Sequence, residues 1–396
     1  LTVRREHCTP RPHWQATVRE QGLVYAETEL PDGGLMSYWD ESACYAFDLA
    51  EVFRLEEATE ELHRMSVAAA EYVVAKNRFA EFGIPAWAAE AIRRSLREQP
   101  PTLYGRFDLW YDGSWPPKLL EYNADTPTAL VEASVIQWYW LEETRPALDQ
   151  WNSLHERLVE AWRRIGAGLY DPRVHVAWSD EEETGEDQMT VGYLAETARQ
   201  AGLEPVLLPM LAIGWDGRRF VVPAGSPDGT DTPILTCFKL YPWEWMLAEP
   251  YGRLALDPGT PTTWIEPVWK MLLSNKALLA ILWELYPGHP YLLPAYLDSP
   301  RGMREYVAKP LLGREGASVR IVTGAGEINN PGTYGAEGWC YQEFRPLPSF
   351  EGNRMVLGSW IVAGESAGAG IRESTSLITD GYARFLPHYV DEPREP

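Results

Sequence analysis

The segment Arg106-Phe-Asp108-Leu-Trp-Tyr-Asp112-Gly113-Ser-Trp-Pro-Pro-Lys118-Leu-Leu-Glu121-Tyr-Asn123-Ala-Asp125 constrains this chain more than any other. Two apolar, aromatic-rich runs flank a turn containing Asp-Gly and Pro-Pro, the signature of a β-hairpin. Side chains alternate across a strand, so Arg106 shares a face with Asp108, and Glu121 shares one with Asn123. Pairing Tyr111 with Lys118 sets Asp108 opposite Glu121 and Arg106 opposite Asn123. Like charges directly opposite on a sheet face destabilise it, so such a pair calls for a cation. Oxygen ligands from Asp, Glu and Asn suit Mg²⁺, which takes one or two carboxylates and leaves its other positions to water and phosphate. Arg106 adds a planar fork for an anion. Asp108, Glu121 and Asn123 are therefore candidate magnesium ligands beside a phosphate site. A merely solvated sheet face is the competing reading, and a one-residue slip would part the two carboxylates.

With 396 residues the chain exceeds the size of a single growing core, so two or three subdomains are expected. Its 18 Trp and 20 Tyr imply large buried faces or grooves. A formal net charge of −22 argues against a general nucleic-acid binder, which needs a basic footprint, and would favour cationic ligands. Cys8, Cys44, Cys237 and Cys340 show no CxxC spacing, which fits a reducing compartment and gives no structural zinc signal. No apolar signal core opens the chain, and no run approaches the roughly 18 apolar residues of a membrane span. A soluble, cytoplasmic protein without a membrane partner is expected.

Residues 1–45 read as mixed, with turn signals at 31–34. Residues 46–99 carry apolar positions near the helical period, broken by Gly83-Ile-Pro85. After the hairpin, 129–167 again read as helical. Arg173–Trp178 (strand), Met189–Ala201 (helix) and Glu204–Met210 (strand) form a βαβ unit, predicting a parallel, Rossmann-like layer. The acidic stretch Asp180–Asp187 reads as solvated surface. It occupies the place of a dinucleotide loop and lacks GxGxxG, which argues against an NAD enzyme. Residues 213–222 form a hairpin around Asp216-Gly217.

From 264 to 285 the pattern predicts one helix carrying Lys276. Glu305–Val322 then reads as strand, glycine loop, strand, with Lys309 ending an apolar strand before Gly313-Arg314-Glu-Gly316. Glycines let backbone N–H groups approach phosphates, and a nearby lysine neutralises them. Trp339–Phe344 and Val356–Ala363 read as strands, and Gly364–Ser374 as a flexible glycine-rich loop ending in Arg372-Glu373. For Lys276 a helix-surface charge, and for Arg372 and Glu373 a mutual ion pair, are the plainer readings.

Taken in order, Arg106-x-Asp108, Glu121-Tyr-Asn123-Ala-Asp125, Ser274-Asn-Lys276, Lys309-Pro-x-x-Gly-Arg314-x-Gly316, Tyr341-Gln-Glu343 and Gly370-Ile-Arg372-Glu373 resemble the glutathionylspermidine synthase family of ATP-grasp ligases. The resemblance runs from about residue 100 to 385. It implies an α/β (α+β) ATP-grasp fold, with an N-terminal helical segment plus metal hairpin over 1–170, a Rossmann-like pre-ATP-grasp region over 171–263, and nucleotide-binding lid and core over 264–396. It assigns Asp108, Glu121 and Asn123 to magnesium and Arg106 to the transferred phosphate. Lys276 and Lys309 become the nucleotide lysines, and Gly313, Arg314 and Gly316 the lid loop. Gln342 and Glu343 fall on the strand lining the adenine pocket, and Arg372 reaches toward the phosphoryl intermediate. ATP and Mg²⁺ are the implied cofactors. The implied partners are a small-molecule acid, such as glutathione or a peptide, and an amine such as a polyamine. The family's serine- and cysteine-containing glutathione segment reads Thr126-Pro127-Thr128-Ala129 here, with Ala129 in place of the cysteine, which puts glutathione in question. No N-terminal stretch is long enough for the fused amidase of bifunctional members, so a stand-alone ligase is expected. Other carboxylic acids, a kinase that stops at a phosphorylated product, and a non-catalytic ATP-binding protein are the rival readings.

Overall fold

The computed structural model describes residues 2–29, 33–180, 184–225 and 229–393. Turn residues 31–32 and acidic residues 181–183 lie outside these. The architecture is mixed α and β, as expected. A parallel sheet orders Thr263–Ile265, Thr236–Leu240, Arg173–Trp178 and Glu204–Pro209, and helix Glu186–Gln200 makes the crossover between the last two in βαβ fashion. Two antiparallel sheets build the remainder around the site. One orders Arg384–Leu386, Glu365–Ser374, Asn353–Val362, Tyr104–Trp110 and Lys118–Asn123; the other orders Ala295–Tyr296, Trp339–Glu343, Tyr306–Pro310, Arg320–Thr323 and Gly326–Asn329. No helix among the described residues is long and apolar enough to cross a membrane.

Helix Leu49–Ala75 backs the first of these sheets. Asp48 and Glu51 close a capping box at its start, satisfying backbone N–H groups that have no partner within the helix. It buries Leu55, Leu62 and Ala69, and its Thr59 hydroxyl meets Ser359 of the sheet at 2.6 Å. The aromatic residues fill the core as their number predicts. Tyr104 stacks on Trp360 with centroids 6.0 Å apart, and Phe107 on Tyr122 at 3.8 Å.

Four expectations need correction. The hairpin pairs Asp108 with Glu121 and Arg106 with Asn123, but Trp110, not Tyr111, faces Lys118. A bulge between Asp108 and Leu109 leaves Leu120 as the extra residue. Gly364–Ser374 is no flexible loop: Glu365–Ser374 is a buried strand between two others. A Cβ on Gly370 would stand 2.8 Å from Phe385, so glycine serves close packing here. The single helix over 264–285 is broken into Met271–Ser274 and Ala277–Leu285. The helical stretch 129–167 is likewise interrupted, by Leu148–Asp149 between Gln137–Thr144 and Leu154–Ala167.

Candidate active site

The two antiparallel sheets face each other across a cleft of about 1210 Å³, counting the solvent at its mouth. Arg106, Asp108, Glu121, Asn123 and Arg372 line it from one side, and Lys276, Lys309, Gly313, Arg314 and Gly316 from the other. Ten of the twelve expected site residues therefore meet in one place.

Buried polar anchors fix the hairpin that carries Asp108 and Glu121. Glu266 accepts from the backbone N–H groups of Leu103 and Tyr104 at 2.9 Å each, and Lys270 donates to the Tyr104 carbonyl at 2.7 Å and to Glu266 at 2.6 Å. At the other end, Asp125 takes 2.7 Å from Lys239 and 2.9 Å from the Trp243 N–H, while the Ser274 hydroxyl accepts from Ala124 and Asp125. Asn275 caps the following helix through Ala277 N–H at 2.9 Å, which leaves Lys276 at the turn. The helix break thus aims Lys276 into the cleft, where it reaches Glu121 at 3.2 Å and the Gly313 carbonyl at 2.7 Å.

Asp108 sits between two guanidinium groups. Arg106 clasps both its oxygens, at 2.7 and 3.3 Å, and also donates to the Thr128 carbonyl at 2.5 Å, while Arg372 donates to Oδ2, the more distant of the two from Arg106. Gly358 makes room, since a Cβ there would stand 3.0 Å from Arg106. Arg372 and Glu373 do not pair with each other. They point to opposite faces, and Glu373 instead binds Arg5, Arg384 and Tyr45. The Glu121 and Asp108 carboxyls lie within hydrogen-bonding reach. Burial alone would raise the Glu121 pKa, but Lys276 and Lys309, together with Asn123, hold it well below the usual carboxylate range. The hairpin bulge exposes the Leu120 carbonyl to Lys309 at 2.8 Å, and Lys309 also donates to Gln342 at 2.7 Å. Burial pulls the Lys309 pKa down while Glu121 opposes that shift.

The residues suit Mg²⁺ bound with a polyphosphate. Two carboxylates converge beside the Asn123 amide, whose Nδ2 donates to Glu121 at 3.3 Å, and such a set is the small protein share Mg²⁺ takes when phosphates supply the rest. Among the described residues no group of three or more His, Cys, Asp or Glu gathers as a metal cluster, so this mixed set is the candidate. Arg314 Nε is buried without a hydrogen-bond partner, and Gly316 holds φ +69° where a Cβ would meet the Thr379 carbonyl at 2.7 Å. Both features fit a loop shaped to approach an anion.

The family profile described as "Glutathionylspermidine synthase preATP-grasp" matches residues 5–391. The chain belongs to this family. A Haemophilus influenzae protein named provisionally as an acid–amine ligase is 38% identical, with the alignment covering 96% of this chain and 97% of that one. Trypanothione synthetase of Crithidia fasciculata is 30% identical over 79% of this chain and 51% of its own length. The bifunctional glutathionylspermidine synthetase/amidase of Escherichia coli is 26% identical over 82% of this chain and 55% of its own length. The chain thus spans about half of these two longer relatives. Among solved structures, a glutathione synthetase-like effector from Globodera pallida covers 97% of this chain with a TM-score of 0.56 at 9% identity, a likeness of fold.

In this ligase-family member Gln342 and Glu343 do not line the cleft. Strand alternation tucks Gln342 beneath Lys309, where it also donates to the Leu119 carbonyl at 3.0 Å, and turns Glu343 outward to a surface pocket beside Arg304 and Glu305. The next residues, Phe344 and Arg345, do line it. Arg314 is latched, donating to Thr126 at 2.9 Å and to Glu244 at 2.7 Å. Breaking that half-buried pair with Glu244→Gln is expected to loosen the placement of Arg314 by about 1 kcal/mol, read as a roughly fivefold rise in KM for ATP in initial-rate assays.

The sequence also hid an acidic cluster. Glu186, expected in a solvated stretch, opens a helix and is half-buried. Burial first, then Glu132, Asp187 and Glu315, raise its pKa to about 8, and Thr128 opposes this. The folded protein therefore binds a proton that the unfolded chain releases above pH 4.5, so this residue's stabilisation falls as pH rises from 4.5 to about 8. Glu186→Gln is expected to flatten the loss of stability across that window, measured by urea unfolding at a series of pH values.

Proposed function

We propose that this protein is an ATP- and Mg²⁺-dependent ligase that joins a carboxylic acid to an amine, releasing ADP and phosphate. The observation that carries this reading is the convergence of Arg106, Arg372, Lys276 and Lys309 with the Asp108–Glu121 pair in one cleft beside the 126–129 loop. Asp108, Glu121 and Asn123 would hold the metal, which supplies charge neutralisation on the nucleotide phosphates. ATP would supply the phosphoryl group that turns the acid's carboxylate into an acyl phosphate open to attack by the amine. Arg106 and Arg372 stabilise charge on the transferring group, and Lys276 and Lys309 hold the phosphates in line, so catalysis is mainly positioning and electrostatics.

The Thr126–Ala129 loop, held by Arg106 and Arg314, is the proposed seat of the acid. Ala129 holds φ +63° and is buried, so it offers no nucleophile or hydrogen bond to a thiol-bearing acid. Peptide or amino-acid carboxylates other than glutathione are accordingly part of the proposal. A cationic amine beside Glu186, Glu132 and Glu315 would take the place of the proton that Glu186 holds up to about pH 8, and a polyamine is the proposed class. A cytoplasmic location and the division at about residues 170 and 263 belong to the same proposal.

Hydroxylamine tests the acid-activation step. With ATP, Mg²⁺ and a true acid substrate but no amine, the acyl phosphate is expected to be trapped as a hydroxamate. ADP release with that acid and no hydroxamate would refute acyl phosphate formation.

A further inference from the structure

Cys8 and Cys44 are 36 positions apart and show no motif, yet the antiparallel pairing of Arg4–His7 with Ala43–Phe47 brings their side chains together. The two sulfurs lie 2.7 Å apart, and Cys8 N–H donates to the Ser42 carbonyl at 2.8 Å, holding the strand end in place. Cys8 is half-buried and Cys44 is fully buried. Arg145 lies 3.7 Å from the Cys8 sulfur. The Arg145 guanidinium is also 3.8 Å from the Glu6 carboxylate, which in turn accepts from the Tyr389 hydroxyl.

We propose that Cys8 and Cys44 form a dithiol site that reacts with small-molecule disulfides and closes into a reversible intramolecular disulfide. Cys8 is the attacking sulfur and Cys44 the resolving one, as their exposures dictate. The Cys44 thiol beside it, against burial and with help from Arg145, brings the Cys8 pKa down to about 7, which favours the reactive thiolate. Burial raises the Cys237 and Cys340 thiols to about 12, whereas the Cys44 thiol is raised first by its contact with Cys8 and then by burial, so capping the Cys8 sulfur removes the larger cause. In the first step the Cys8 thiolate attacks one sulfur of the small disulfide and expels the other half as a thiolate, which takes a proton from water. The Cys44 sulfur then loses its proton to water and attacks the Cys8 sulfur, forming the protein disulfide and releasing the second half as a thiol. The protein loses two hydrogens, and the small disulfide is reduced to two thiols. Closure fastens the strand bearing Arg5, whose guanidinium holds Glu373 next to Arg372.

The test is intact-mass analysis and peptide mapping of the native protein after exposure to bis(hydroxyethyl) disulfide and alkylation of remaining thiols. The expected product is lighter by two hydrogens before alkylation, with the Cys8 and Cys44 peptides joined and reversal by dithiothreitol. Cys44→Ser should instead accumulate a hydroxyethyl adduct on Cys8. A stable adduct on Cys8 in the native protein, linkage through Cys237 or Cys340, or no reaction would overturn the proposal. The native-protein map does not depend on any variant folding.

Discussion

Asp108→Asn is expected to lower kcat by at least about a hundredfold, equivalent to ~2.7 kcal/mol of transition-state stabilisation. Asp108 serves two functions at once. Its carboxylate is a proposed metal ligand, and it orients Arg106 through a two-pronged contact while pairing with Arg372. Asparagine keeps one oxygen but removes the charge that both guanidinium groups face. Breaking a buried pair of this kind costs about 3–5 kcal/mol of stability, so the variant's melting behaviour must be followed alongside its rate. Glu121→Gln separates the two effects. Glu121 is partly exposed, with its side chain at 29%, and is paired with Lys276 at 3.2 Å rather than clasped between two guanidinium groups. Its variant should keep the fold by circular dichroism and still lose magnesium-dependent turnover. Near-normal kcat in folded Glu121→Gln would remove this residue from the metal site.

Lys309→Met is expected to weaken ATP binding at least about tenfold, the scale of one charge-assisted hydrogen bond to phosphate. Lys309 is buried, and its ammonium group is held by two neutral acceptors, the Leu120 carbonyl and Gln342, close to Glu121. Such a lysine is pre-aimed rather than neutralised. Lys118→Met is the control: this lysine lies on the same hairpin but donates to the Pro290 carbonyl at 2.6 Å, away from the cleft. Calorimetric titration with ATP and Mg²⁺ should show weak binding in the first variant and unchanged binding in the second. Equal affinity in both would mean that Lys309 serves only to tie Leu120 and Gln342 together.

The carboxylate pair was legible because strand alternation is strict, and an aromatic-rich run with one Asp leaves few registers. The bulge was not, because it serves contacts distant in sequence: it frees the Leu120 carbonyl for Lys309, 189 positions away. Glycine was the other source of error. In Gly364–Ser374 it suggested flexibility, whereas Gly370 is small because Phe385 and Ala133 press against it. The break at Ser274-Asn275-Lys276 looked like continuous helix because Ser274's partners, Ala124 and Asp125, are about 150 residues away. Glu186 carried no local sign at all. Its half-buried position near Thr128, Glu132 and Glu315 arises only when three distant segments meet. Local pattern thus exposed the charges that alternate on strands, while features set by tertiary partners stayed hidden.

The most direct test of the ligase reading is ADP release with ATP and Mg²⁺ across carboxylic acids and amines, beginning with glutathione and spermidine, with each product weighed by mass spectrometry. At least one acid–amine pair is expected to give ADP release requiring both partners, together with a product equal to their sum less one water. In protein shown to bind ATP, release that never depends on an amine, or a phosphorylated acid as the final product with every pair, would contradict it.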